Sequence, residues 1–209
     1  MADAKLDTQV RREQIAEAAL SLVASQGLRR LSVAAVARRV GLVPSGIYRH
    51  FKNKDEILDA VLDRVELRLL ANVQASRQAH ADPLACLKDV VMRHIRFLRE
   101  GKVISVPRMI FSEDTHGDHP ERKRRILGVF SKYMEQIGEV VQLGQQQGRI
   151  RPELEVQAIT MMLFGIIVPA GILWHLTDGG FDVTRHAQRG WKMLLSAIEP
   201  PVPSKTRKK

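Results

Sequence analysis

Between Leu31 and Glu56 the chain collects side chains suited to one kind of chemistry, hydrogen bonding and charge pairing with a polyanion. Val43, Ser45, Gly46, Tyr48, Arg49 and His50 supply hydroxyl, guanidinium and imidazole groups with no carboxylate among them. Such a face suits the base edges and phosphates of duplex DNA. Ser32 places a hydroxyl where a helix begins, so it serves as a cap and, with the neighbouring N–H groups, can also meet a phosphate. Lys52 and Lys54 add cations. Lys54 falls in the first turn of a helix, where a cation opposes the positive end of the helix dipole. A nearby phosphate relieves that conflict, and so do Asp55 and Glu56. Gly46 inside a short helix costs up to about 1 kcal/mol relative to alanine. Either close approach to another surface or tight packing within the domain explains it. The plainer readings are that Ser32 is a cap alone and that Tyr48 and His50 are ordinary half-buried surface residues.

These groups need a scaffold, and the apolar periodicity supplies one that is helical nearly throughout. Ile15, Ala18, Ala19, Leu22 and Val23 define a helix near 9–26, which Gly27 ends in a left-handed conformation. Ser32 caps a second helix with Val33, Val36, Ala37 and Val40 inward and Arg38 and Arg39 outward, and Gly41 makes the turn. Pro44 opens a third helix, on which Ile47 and Phe51 face inward. Asn53 with Glu56 reads as a capping box opening a long fourth helix with the stripe Ile57, Leu58, Val61, Leu62, Val65 and Leu69. Further helices are expected from Asp82-Pro83 to Arg99, near 102–112 with a bend or break at Pro107, from Pro120 to Gly148, from Pro152 to Gly179, and from Asp182 to Ile198. The fold class is therefore all-α, with about nine helices. The divisions expected are 1–54 for a helix-turn-helix domain, 55–198 for a helical effector-binding and dimerisation domain, and 199–209 for a disordered basic tail.

With 44% hydrophobic and 27% charged residues the 209-residue chain can build a core, and its formal net charge of +10 suits a polyanionic partner. The charge is concentrated at the start. Residues 1–54 hold ten Lys and Arg against four acids, Asp3, Asp7, Glu13 and Glu17. Cys86 is the only cysteine and no apolar leader opens the chain, which fits a reducing, cytoplasmic setting. Ala158 to Leu176 is almost long enough to span a bilayer, but Thr160, Pro169 and His175 interrupt it. A helix buried at a subunit interface accounts for it better, since an all-round apolar helix must be covered.

The block from about 11 to 58 closely resembles the TetR family of bacterial transcriptional regulators. The resemblance rests on a first helix ending in Gly27, then LSVAAVARRVGL, then GIYRHFKNKDEIL, with Tyr48-Arg49-His50-Phe51-Lys52-Asn53-Lys54 as its strongest part. It implies an all-α homodimer with an N-terminal three-helix DNA-binding domain and a C-terminal helical domain. It further implies binding to a palindromic operator and release by a small molecule, here expected to be hydrophobic. Carried over by motif, the DNA contacts are Ser32, Val43, Pro44, Ser45, Tyr48, Arg49, His50 and Lys54; Gly46 and Lys52 join them from the reading of the residues themselves. The chain departs from the pattern at Val43, where a polar capping residue is more usual, and at Gly46, where alanine or threonine is. Val43 is suited to a thymine methyl.

The second half is quieter. The family pattern implies a cavity among the helices of 83–178, with Phe97, Met109, Phe111, Phe130, Met134, Met161, Met162, Phe164 and Trp174 as candidate lining residues, although ordinary core accounts for each of them singly. Methionines adapt to varied apolar shapes. The dimer contact is expected on the last two helices through Ile159, Leu163, Ile166, Ile167, Trp191, Leu194, Leu195 and Ile198. Glu113, Asp114, His116, Asp118 and His119 have metal-ligand character, but a loop before the Pro120 helix explains them more simply. No metal and no cofactor is expected. No nucleophile–base–orienter set and no glycine-rich phosphate loop is visible, which argues against an enzyme. Two rivals stand beside the ligand-released repressor: a ligand-independent, architectural DNA-binding protein, and a regulator anchored to the membrane through 158–176.

Overall fold

In a computed structural model, residues 2–100 and 120–201 are described, and among them every regular element is helical. The helices are α1 (Ala2–Gln26), α2 (Val33–Val40), α3 (Pro44–Tyr48), α4 (Lys54–Ala79), α5 (Pro83–Arg99), α6 (Pro120–Gln146), α7 (Val156–Leu176) and α8 (Val183–Ile198), with a 3-10 turn at Leu28–Arg30. The expected helix near 102–112 and the acidic, histidine-bearing loop after it lie outside the described residues.

Local chemistry sets most of the boundaries. Ser32 Oγ accepts from the Ala35 N–H at 3.1 Å, Asn53 Oδ1 from Glu56 at 2.9 Å, Asp82 Oδ2 from Ala85 at 3.1 Å and Asp182 Oδ1 from Arg185 at 2.9 Å. Each cap satisfies an N–H that has no partner inside its helix. The box at Asn53 is displaced by one residue from the usual form, because Glu56 takes the N–H of Lys52 rather than that of the cap. Gly41 is left-handed, at φ 70° and ψ 31°, and makes the turn between α2 and α3. Gly27 differs from the expectation: at φ 84° and ψ 167° it occupies the extended region of positive φ that only glycine enters readily, not the left-handed helical one.

Two further boundaries depart from the sequence reading, the first being α1, which begins at Ala2 and not near residue 9. The helix placed from Pro152 begins at Val156, with Pro152 in the preceding turn. Pro169 stands inside α7, which runs through to Leu176 and packs against α5, α6 and α8. The helix is long and apolar enough to cross a membrane, yet 39% of its apolar window is buried inside the protein and much of its other face is open.

α1 packs on α2 and on α4, α2 packs on α3, and α4 then continues into the second half against α5 and α6. One stripe of α4 therefore closes both cores, with Ile57, Leu58, Val61, Leu62, Val65 and Leu69 all buried. α4 is thus the element that joins the two halves.

Candidate nucleic-acid interface

The outward face of the α2–α3 unit carries most of the residues singled out in the sequence. Val43 is 66% exposed and Tyr48 56%, and Ser32, Pro44, Ser45, Arg49 and Lys52 are also exposed. Gly46, His50 and Lys54 are partly covered. Their shared direction has a simple cause. Ile47 and Phe51 are 0% and 1% exposed, so the helix is anchored from beneath and its other side must face out. Phe51 lies just past the end of α3, not on it as the periodicity suggested. Val43, the residue before Pro44, gives no side-chain cap, as its apolar side chain requires.

Gly46 gains a clearer meaning from the packing. A Cβ placed there would meet only Leu42 side-chain atoms, the nearest at 3.5 Å, which is ordinary contact. Steric packing within the domain therefore does not require a glycine there. Gly46→Ala is expected to leave the fold as stable as before, or more stable by up to about 1 kcal/mol, while weakening DNA binding. Paired denaturation and fluorescence-anisotropy titrations check both halves of that expectation.

Arg12 is the functional residue the sequence reading missed. From α1 it donates Nη1–H to the His50 carbonyl and Nη2–H to Glu56 Oε1 at 3.3 Å, and its guanidinium lies 4.2 Å from the centre of the Phe51 ring. It ties the end of α3 to the start of α4. The Lys52 N–H holds the Glu56 carboxyl below the usual range; partial burial opposes this, and Arg12 adds to it. The signal was available, since Arg12 precedes Ile15, Ala16 and Ala19 at helical spacing and so shares their inward stripe. Nearby, Glu17 of α1 receives both Arg64 at 3.5 Å and Arg68, fixing α1 along α4.

In the C-terminal half the candidate ligand residues are only partly brought together. Phe130, Met134 and Met161 line a 660 Å³ groove between α6 and α7, with Gly138, Val156 and Thr160 at its base. Phe164 meets Phe130 edge-on, ring centres 4.7 Å apart. Met162 points out to solvent at 55% exposure, Trp174 packs on the turn at Gly179, and Phe97 is half-buried on α5. Met109 and Phe111 lie outside the described residues.

The expected dimer residues need correction. Ile159, Leu163, Ile166, Ile167, Trp191, Leu194 and Ile198 are buried within the protomer and Leu195 is half-buried, because that stripe faces α5 and α6 and joins α7 to α8. The exposed stripe is the opposite one: Ala158, Met161, Met162 and Gly165 on α7, and Met193 on α8.

A second feature missed in the sequence is a buried polar cluster between α4, α5 and α6. Asn72 donates to the Val90 carbonyl at 3.0 Å and reaches the Tyr133 hydroxyl at 3.5 Å; that hydroxyl lies 3.4 Å from His94 Nδ1. Asn72 Oδ1 is buried and makes no hydrogen bond among the described residues. Burial pushes His94 down to about 4, so the ring is neutral.

An all-α chain with a capped helix-turn-helix, a basic outward face and a second helical domain sharing α4 defines a DNA-binding transcriptional regulator of the two-domain helical class. Residues 15–61 match the profile for bacterial regulatory proteins of the tetR family, and residues 59–197 match that for the YsiA-like protein C-terminal region. The chain belongs to the TetR family. It is 22% identical over 185 residues to the fatty acid metabolism regulator protein of Bacillus subtilis, covering 88% of this chain and 94% of that one. It is 24% identical over 173 residues to the nucleoid occlusion factor SlmA of a Marinomonas strain, covering 83% and 86%. Among solved structures, FadR from Bacillus subtilis in complex with stearoyl-CoA superposes with a TM-score of 0.70 at 21% identity, covering 89% of this chain and 98% of that one.

Proposed function

We propose that the protein is a repressor that binds a palindromic operator as a homodimer and leaves it when a long-chain acyl ligand enters the C-terminal domain. The observation that carries the DNA half is the acid-free face of Val43, Ser45, Tyr48 and Arg49, held outward by the buried Ile47 and Phe51. In this reading Ser32, Lys52 and Lys54 meet phosphates, while Val43, Ser45, Gly46, Tyr48 and His50 meet bases and sugars. The acyl ligand is supported by the likeness to a fatty acid metabolism regulator and by the stearoyl-CoA held by the similar FadR. The exposed methionine stripe of α7, with Met193 of α8, is the face proposed to meet the second protomer, since an apolar helix face of that length needs a cover.

A dimer must hold its two α3 helices about 34–36 Å apart, or a multiple of that, to enter successive major grooves. A ligand that tilts α4 alters that spacing, and a coupling of about 1–3 kcal/mol is enough to shift occupancy. Footprinting the DNA upstream of the protein's own coding region, with and without stearoyl-CoA, tests this. One protected palindrome that opens on addition of stearoyl-CoA is expected. Protection that persists at saturating stearoyl-CoA would overturn the acyl-release reading.

A further inference from the structure

Near the start of α6, after Pro120 and the single first-turn acid Glu121, Arg122, Lys123, Arg124 and Arg125 follow in succession at the end of a helix whose dipole is positive. Such a placement calls for compensation, and for two of them α4 provides it. Arg122 Nη2–H donates to Asp55 Oδ1 at 2.6 Å. Arg125 pairs with Asp63 and, at 2.9 Å, with Glu66, which Lys132 also reaches at 2.5 Å. Further along, Tyr133 faces Asn72 and Glu139 takes Arg77 at 2.8 Å. The partners rise together in number, so α6 runs alongside α4 in the same direction and its first turn stands beside the first turn of α4.

That juxtaposition crosses the boundary between the two matched regions. Asp55 falls in the DNA-binding part and Arg122 in the C-terminal part. Asp55 directly follows Lys54 and lies three residues past Lys52, on the edge proposed above to meet the phosphate backbone. Its carboxylate is 59% exposed, whereas the Arg122 side chain is only 9% exposed. A bare carboxylate there would stand within a Debye length, about 10 Å at 0.1 M salt, of the phosphate that Lys54 meets, and would repel it.

We propose that Arg122 is a charge-compensating residue for DNA binding, supplied by the regulatory domain, which by pairing with Asp55 keeps an exposed carboxylate from repelling the DNA backbone at Lys54. One determinant of DNA affinity therefore sits on α6, the same helix that carries Phe130 and Met134 of the groove. The proposal rests on the DNA-binding reading above, and it assigns Arg122 a role through Asp55 and not a contact with DNA.

The test uses the full chain, with the footprinted upstream duplex or, equally, a mixed-sequence duplex, whose phosphates are the same. Arg122→Met is expected to weaken binding about three- to tenfold at about 50 mM salt, with the loss shrinking as salt rises. Arg122→Lys, which keeps the charge, retains most of the affinity. Asp55→Asn binds as tightly as the wild type or more tightly, and in that background Arg122→Met has no further effect. A simple mechanical brace gives the opposite sign: Asp55→Asn, which breaks the same contact, would then weaken binding as Arg122→Met does. That outcome overturns the proposal. So does an Arg122→Met loss that is equal in both backgrounds or absent in both. Denaturation midpoints of all four variants show that folded proteins are being compared. A wild type that binds neither duplex would instead sink the DNA-binding reading itself.

Discussion

Phe51→Ala is expected to lower the unfolding free energy by about 3–5 kcal/mol and to abolish operator binding at concentrations where the wild type saturates. α3 spans only five residues, too few to hold a helix by its own hydrogen bonds. Its orientation is imposed at both ends, by the Gly41 turn before it and by the Phe51 ring after it. The ring is 1% exposed and sits beneath the Arg12 guanidinium, which in turn grips the His50 carbonyl and Glu56. Removing the ring leaves a cavity under the recognition helix and takes away the surface on which Arg12 rests. Small domains have only about 5–15 kcal/mol in hand, so the loss is large. Denaturant titration by circular dichroism and anisotropy with labelled DNA are the measurements. A variant whose midpoint and affinity both match the wild type would show that α3 is held by something other than Phe51.

The N-terminal half was largely legible because its determinants are local. Ser32, Gly41, Asn53 and Asp82 announce their turns and caps from neighbouring residues alone, and the structure has Ser32, Asn53 and Asp82 accepting the N–H of the third residue on, with Gly41 left-handed. The inward stripe of α4 was legible for the same reason. What the sequence hid was which neighbour each face would meet. On α7 nearly every residue is apolar, so periodicity had no polar side to contrast with, and the buried stripe was taken for the exposed one. Ile159 and Leu163 serve the core, and Met161 and Met162, one residue away, face out. The Arg122–Asp55 and Arg125–Glu66 pairs are likewise long-range, joining residues whose spacing carries no motif. The run of four cations opening α6 was the one trace they left, legible through its conflict with the helix dipole.

His94, an isolated histidine in the sequence, is the residue expected to set the acid limit of the fold. It is fully enclosed, with Tyr133 of α6 at its Nδ1 and Asn72 of α4 beyond, and among the described residues no carboxylate pairs with it to stabilise a charge. Burial lowers its value from 6.5 to about 4, so the folded protein keeps it neutral where the unfolded chain already takes up a proton. The sign follows from that difference. Stability is complete above pH 6.5, declines as pH falls toward about 4, and has lost about 3 kcal/mol from this group alone by then. The carboxylates held low by partners, such as Glu66 under Lys132 and Asp89, where burial is outweighed only by Arg93, Ser76 and His80 together, give up their contributions only in more acid solution. The upper part of the decline, from neutral down to about pH 5, therefore lies above the range in which these carboxylates take up protons. Urea titrations across that range are expected to show the wild type weakening more steeply than His94→Leu, which cannot charge at this position. Equal slopes for the two proteins would mean that His94 gains solvent or a counter-charge before the chain unfolds, and that the cluster with Asn72 and Tyr133 opens ahead of the rest of the core.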